Sequence, residues 1–225
     1  VAGGADSSSD APVAASDGLR RILLDLNRAR TPGDRARVLA RFRPGFLSPE
    51  IPQAAEPRTG LSMGEHMALT TAAWAITRAE QDELAAASHH NLAAAWDSGF
   101  FTDLVTPYLG VTADTNLRRD TSLEKLAALK PVFGRSLDAA ATMTAGSSTP
   151  LTDGAATVLL SSEEWAHAHG LTPQAWFVDA ETAAVDFVTG NEGMLMAPAY
   201  ATARLLARHG LALQDFDFYE IHEAF

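Results

Sequence analysis

The chain has 225 residues, 47% hydrophobic and 20% charged, which is the composition of a soluble globular protein with one large core or two small ones. A net charge of −11 argues against a nucleic-acid binder, although a local patch can still hold an anionic ligand. With no cysteine there is no disulfide framework and no thiolate metal site; no run reaches membrane-span length and Val1 opens no signal-peptide pattern, so the expected compartment is cytoplasmic, or an organelle matrix.

Val1–Gly4 reads as the tail of a strand. In Gly18–Arg30, Leu19, Ile22, Leu23 and Leu26 fall at i, i+3, i+4 and i+7, the stripe of an amphipathic helix. Arg20, Arg21, Arg28 and Arg30, followed by Arg35, Arg37, Arg41 and Arg43, make a basic stretch in an acidic chain. It is either a solvated helix face or a docking surface for an anionic ligand or a partner subunit. Pro44, Pro49, Pro52 and Pro57 predict a loop or an extended crossing.

Met63–Trp74 reads as a helix with Met67, Thr70, Thr71 and Trp74 on one side. Thr77-x-x-Glu80 is a capping box that opens a helix through Asp97, closed by Gly99, with Leu84, Ser88, Leu92 and Trp96 as its packing stripe. His89 and His90 point about 100° apart on that helix and read as surface histidines rather than a chelating pair. Thr121-x-x-Glu124 is a further capping box, with Leu123, Leu126 and Ala127 inside its helix and Pro131 beyond its end.

Thr144–Leu160 is a turn-forming stretch that runs into an apolar segment, Ala155–Leu160, with the look of a buried strand. Ser161-x-x-Glu164 predicts a capped helix over Glu163–His169 ending near Gly170, on which His167 and His169 face apart and bind no metal. Trp176–Ala180 and Phe216–Ile221 read as two more strands, separated by a helix from Pro198 to Gly210 with Tyr200, Ala203, Leu206 and Ala207 on its apolar face. Strands alternating with helices predict a mostly parallel sheet, whose ligands sit at the carboxyl ends of strands. His222 follows such a strand, where it could be a general base, an oxyanion donor or a satisfied core histidine.

Segments spread along nearly the whole chain carry a family resemblance. TAGSSTPLTDGAA at Thr144–Ala156 resembles the TAGN-S-x-x-x-DGAA signature of thiolases, with Ser147 where that family usually has Asn. VAGGADSSSDAP at Val1–Pro12 resembles the family's GG-x-(E/D)-S-x-S-x-AP strand end. TGLSMGEH at Thr59–His66 resembles its loop-domain entry, and Asn116-Leu117-Arg118 with Lys130–Phe133 resemble later loop-domain segments. EIHEAF at Glu220–Phe225 resembles the NEAF/HEAF motif, in the His form of the degradative branch found in trifunctional fatty-acid β-oxidation complexes.

The resemblance implies an α/β, thiolase-like layered fold with mostly parallel sheets covered by helices. Residues 1–17 would end an N-terminal half, 18–143 form an inserted loop domain over the CoA groove, 144–170 return to the first half and 171–225 begin a C-terminal half. The implied activity is thiolytic cleavage of 3-ketoacyl-CoA, with CoA as substrate and no cofactor or metal. His222 would supply the oxyanion hydrogen bond and Glu223 would fix its turn. Ser62 and Met63 match the pantetheine tunnel, although many thiolases have His where Ser62 stands. Thr149, Pro150 and Leu151 match a Ser-Gly-Leu stretch beside the pantetheine, and Pro150 lacks the amide donor of Gly. Phe133 matches an aromatic near the adenine. The resemblance also implies a homo-oligomer, a hydratase/dehydrogenase partner subunit, and an internal piece of a longer protein whose nucleophilic Cys lies outside these residues, so that the piece alone is inactive. A non-catalytic CoA or lipid carrier and a helical interaction module built from Gly18–Met143 are the alternatives.

Overall fold

The computed structural model describes residues 1–10, 13–50, 54–137, 140–190 and 192–225. Ala11 and Pro12 of the first motif and Pro52 of the proline-rich stretch lie outside the described residues. The chain forms two compact units, Val1–Ala54 with Leu151–Ala175, and Ala55–Pro150 with Trp176–Phe225.

The first unit is built on a strand pair. β1 (Ala2–Asp6) runs antiparallel to β2 (Gly154–Val158), with Ala2 opposite Val158 and Asp6 opposite Gly154. The two strand motifs are therefore neighbours in one sheet, as the sequence predicts, with a long excursion between them. Two expectations change. The pair is antiparallel, and no parallel ladder occurs among the described residues; the alternation rule governs consecutive crossovers, and this pair is not joined by one. β2 is exposed at every residue rather than buried, because its small side chains have no layer packed on them. Asp153 ties the two strands at one end. Its carboxylate accepts the backbone N–H of Ser8 (2.7 Å) and of Ser9 (3.0 Å) and the hydroxyls of both serines.

Three helices complete this unit. α1 (Asp17–Arg28) starts at Ser16, whose hydroxyl accepts the Leu19 N–H and donates to the Phe46 carbonyl. Ile22 alone of the predicted stripe is buried; Leu19 and Leu26 are half-buried and Leu23 is exposed. α2 (Pro32–Leu39) starts at Thr31 with Pro32 in its first turn. α6 (Glu163–Ala168) is capped by Ser162, one residue later than Ser161.

The second unit is helical. α3 (Met63–Ala73) and α4 (Arg78–Asp97) both open on complete capping boxes, Ser62 with Glu65 and Thr77 with Glu80. Each box satisfies amide groups that an open helix end leaves bare, which stabilises the helix by about 1 kcal/mol. α5 (Leu123–Ala127) starts at Ser122 rather than Thr121. In both shifted caps two hydroxyl residues stand side by side, and the second takes the position. α7 (Ala197–His209) has Pro198 in its first turn and ends on Gly210 in the left-handed conformation.

The buried side chains of this unit come from α3 to α5 and the segment after them: His66, Thr70, Thr71, Asp82, Ala86, Leu126, Met143 and Thr144. On α3, Thr70 and Thr71 face inward as predicted, whereas Trp74 is exposed. On α4 the packed face passes through Asp82 and Ala86; Leu84 and Ser88 are exposed, while Leu92 and Trp96 are half-buried, so the predicted stripe is displaced only in the first half of the helix. The cause is Arg78. Its guanidinium holds the Asp82 carboxylate at 2.8 Å and donates to the carbonyls of Leu126 and Leu129, which turns that face toward α5. On α7 the half-buried residues are Ala197, Ala201, Leu205 and Leu206; Tyr200, Ala203 and Ala207 are exposed.

The predicted strands Trp176–Ala180 and Phe216–Ile221 are not strands, and Asp217 lies in a bend. Neither has a ladder partner among the described residues, and Phe177, Val178, Phe218 and Ile221 are largely exposed. A β-strand is defined by hydrogen bonds to a neighbour, so apolar alternation alone does not make one.

Candidate functional site

The site is assembled in the second unit from segments far apart in sequence. Its base is the turn Thr144–Ser148. Thr144 is fully buried; its hydroxyl accepts the Gly146 N–H at 3.1 Å, its own N–H donates to the Ser147 hydroxyl at 3.1 Å, and its carbonyl accepts the Ser148 hydroxyl at 2.8 Å. Ser147 thus closes the turn with its side chain. Gly146 admits Leu126 and Leu129 against the turn, where a Cβ would come within 2.6 Å of Leu126.

Phe133 is fastened beside this turn, since the Val132 N–H donates to the Met143 carbonyl at 2.8 Å and Pro131 bridges to Thr144. Its ring lies against Gly64 in the first turn of α3; a Cβ at Gly64 would stand 2.5 Å from a ring carbon. Gly134 follows with φ +77°, a left-handed conformation that carries the chain away from the ring.

The C-terminal motif meets these elements at two points. The Thr149 N–H donates to the Ala224 carbonyl at 2.9 Å. The Phe225 ring stands edge-on to Phe133, centroids 5.7 Å apart, a geometry that stabilises by about 1 kcal/mol beyond the area it buries. Glu223, expected to fix the turn, is exposed. Ala224 and Phe225 hold the segment instead, the first through its carbonyl and the second through its ring. His222 is exposed, two residues before the held carbonyl.

The remaining candidates fall as follows. Ser62 caps α3: its hydroxyl accepts the Glu65 N–H at 3.2 Å and donates to the Glu65 carboxylate at 3.0 Å. Met63 is half-exposed on the first turn. Thr149 and Pro150 are exposed; Leu151, 82% exposed, belongs to the first unit. The structure therefore brings together Ser62–Gly64, Phe133, the 144–149 turn and the 222–225 segment. Among the described residues no cluster of His, Cys, Asp or Glu could hold a metal ion.

Two arrangements went unnoticed in the sequence. One is buried His66, whose Nε2 is 2.8 Å from the Thr59 hydroxyl and whose ring meets Phe187 edge-on, with the Arg58 guanidinium 4.8 Å above Phe187. Arg58 also donates to Glu56, holding that carboxyl below its ordinary value. The other is Asp153, present in the quoted motif without a role; the hydroxyl and amide of Ser9 and those of Ser8 hold it at about 2. The basic stretch is partly neutralised, with Arg20 and Arg21 on Asp17, Arg37 on Asp34 and Arg41 on Asp25, as suits a solvated face.

Comparison with known proteins fits this layout. The family models for the thiolase N-terminal domain and the thiolase C-terminal domain match residues 1–164 and 171–225. The chain belongs to the thiolase family. It is 43% identical over its whole length to a 3-ketoacyl-CoA thiolase of Pectobacterium atrosepticum, and covers 52% of that protein. It is 40% identical over its whole length to the mitochondrial trifunctional enzyme subunit beta of Mus musculus, covering 47% of it. Its structure resembles a Bacillus anthracis acetyl-CoA acetyltransferase with a TM-score of 0.64 and 34% identity, over 76% of this chain and 43% of that one. The chain spans about half the length of the curated relatives it matches.

Proposed function

We propose that this chain is the part of a degradative 3-ketoacyl-CoA thiolase that carries the oxyanion histidine and one wall of the CoA groove. The observation that supports it best is the fastening of the His222–Phe225 segment to the TAGSS turn and to the start of α3, through the Thr149–Ala224 hydrogen bond and the Phe133–Phe225 contact. Three motifs that resemble one family in sequence meet at one place.

In this reading a cysteine thiolate outside these residues attacks the 3-keto carbonyl of the substrate. The C–C bond breaks, acetyl-CoA departs as its enolate and is then protonated, and a second CoA thiol takes the acyl group from the cysteine. His222 donates a hydrogen bond to the thioester oxygen on which the enolate charge gathers. A placed donor of that kind lowers the barrier by about 3 kcal/mol. Ser62, Met63, Thr149 and Pro150 flank the pantetheine, and one face of Phe133 lies toward the adenine. CoA is a substrate, and no metal or cofactor enters the reaction.

The mitochondrial relative is named as a subunit of a trifunctional enzyme, which supports work within a multi-subunit complex; the family resemblance extends this proposal to a β-oxidation complex with a hydratase/dehydrogenase subunit and to a homo-oligomer. No helix among the described residues is long and apolar enough to cross a membrane. The bacterial and mitochondrial relatives support a cytoplasmic or organelle-matrix location. Thiolysis of acetoacetyl-CoA by the full-length protein, assayed beside residues 1–225 alone, tests the reading. Turnover by the first and none by the second is expected, since the 225 residues contain no cysteine. A full-length protein that binds CoA without turnover is a carrier, and turnover by the shorter chain would refute the assignment of roles.

A further inference from the structure

We infer that Phe133 is a positioning residue for His222, acting through the ring of Phe225. The inference rests on the thiolase reading and adds a role for Phe133 distinct from contact with CoA.

Phe133 is half-buried, held at its backbone and at two parts of its ring. Its backbone is tied to the 143–144 segment by the Val132 N–H on the Met143 carbonyl, and by the Pro131–Thr144 bridge. One part of its ring occupies the space that Gly64 leaves by having no side chain. The Phe225 ring then meets it edge-on. These parts form a column that starts at the capped, rigid end of α3 and finishes at the last residue of the C-terminal motif. The Thr149–Ala224 hydrogen bond supplies a second anchor on the adjoining residue.

His222 has no comparable support of its own: its side chain is exposed, and the residues before it form no ladder among the described residues. The direction in which its imidazole points is therefore set by the backbone at Ala224 and Phe225. Two anchors on consecutive residues fix both the position and the rotation of that peptide. Removing the ring anchor leaves one hydrogen bond, about which the segment can turn. An oxyanion donor works only at hydrogen-bond distance from the developing charge, so a small rotation is costly in rate.

The test uses the full-length protein. Phe133→Leu keeps an apolar side chain but loses the aromatic edge; kcat should fall about tenfold, a loss separate from any rise in KM for CoA that comes from its adenine-facing side. Phe133→Tyr, which keeps the ring, should recover most of that loss. Gly64→Ala, which pushes the ring from the other end, should give the same loss of kcat, and it carries the test where Phe133→Leu does not fold. In a His222→Ala background Phe133→Leu should cost nothing further, because a residue that acts through His222 has no effect once His222 is gone. A rise in KM with unchanged kcat would make Phe133 a ligand contact only. An undiminished loss of kcat in the His222→Ala background would overturn the inference while leaving the thiolase reading intact. Absence of thiolysis by the wild-type protein would instead end that reading.

Discussion

Helices α3 and α4 satisfy their own backbone groups, while the segments at residues 176–180 and 216–221 have no ladder partner among the described residues. The difference is physical. A helix closes its hydrogen bonds within about four residues, and a hydroxyl plus a carboxylate can seal its open end. A strand closes its bonds only on another strand. The β1–β2 pair makes the same point from the other side. Neither strand is buried, yet both are strands because each has the other, and Asp153 holds the junction.

This contrast can be broken or sharpened by substitution within residues 1–225. The largest effect is expected at Arg78. Arg78→Ala leaves the Asp82 carboxylate buried without its partner and removes two hydrogen bonds to α5 and the residues after it, at a cost of about 3 kcal/mol in denaturant unfolding. Leu84→Ala, six residues along on the exposed face of α4, should cost under about 0.5 kcal/mol. Equal costs would put Leu84 back in the packed stripe. Next comes the cap. Thr77→Ala should destabilise by about 1 kcal/mol and Thr77→Ser by much less, read from the same unfolding curves.

Asp153 gives a pH signature. Its carboxyl is held at about 2 against an ordinary 3.8, chiefly by the Ser9 hydroxyl and then by the amides of Ser9 and Ser8. The folded protein therefore favours the ionised form. The contribution is complete above pH 3.8 and is lost as pH falls toward about 2. Thermal midpoints measured across that window should drop for the wild type, and the drop should be smaller in Asp153→Asn. Parallel curves would remove Asp153 as the clasp of the strand pair. The smallest effect belongs to the segment at residues 216–221. Phe218, 88% exposed, should be replaceable by Ser at under about 0.5 kcal/mol. A cost well above that would mean that residues 216–221 are packed in solution as strands are.

What the sequence could show follows the same division. The cap at Thr77 was read because a capping box is a local pattern; the same pattern at Ser62 and Glu65 was present in the sequence but went unread. The caps of α5 and α6 were legible only to within one residue, since Thr121-Ser122 and Ser161-Ser162 each offer two hydroxyls and tertiary packing chooses. The packed face of α4 was hidden because Arg78 reaches carbonyls 48 and 51 residues away. At the site, the motifs around Thr144 and His222 stood out through resemblance, but their mutual arrangement did not. Gly64, Ala224 and Phe225 act through a missing side chain, a carbonyl and a ring edge, and none of these has a spacing rule that a single sequence displays.

The central claim is that the segment ending in Phe225 presents His222 as the donor to a developing oxyanion. Steady-state thiolysis by full-length His222→Ala measures it most directly. The account predicts a fall in kcat of about 10²–10³ with a much smaller change in KM, and partial recovery in His222→Asn, whose amide can still hold a donor. A folded His222→Ala protein with near wild-type kcat would contradict it.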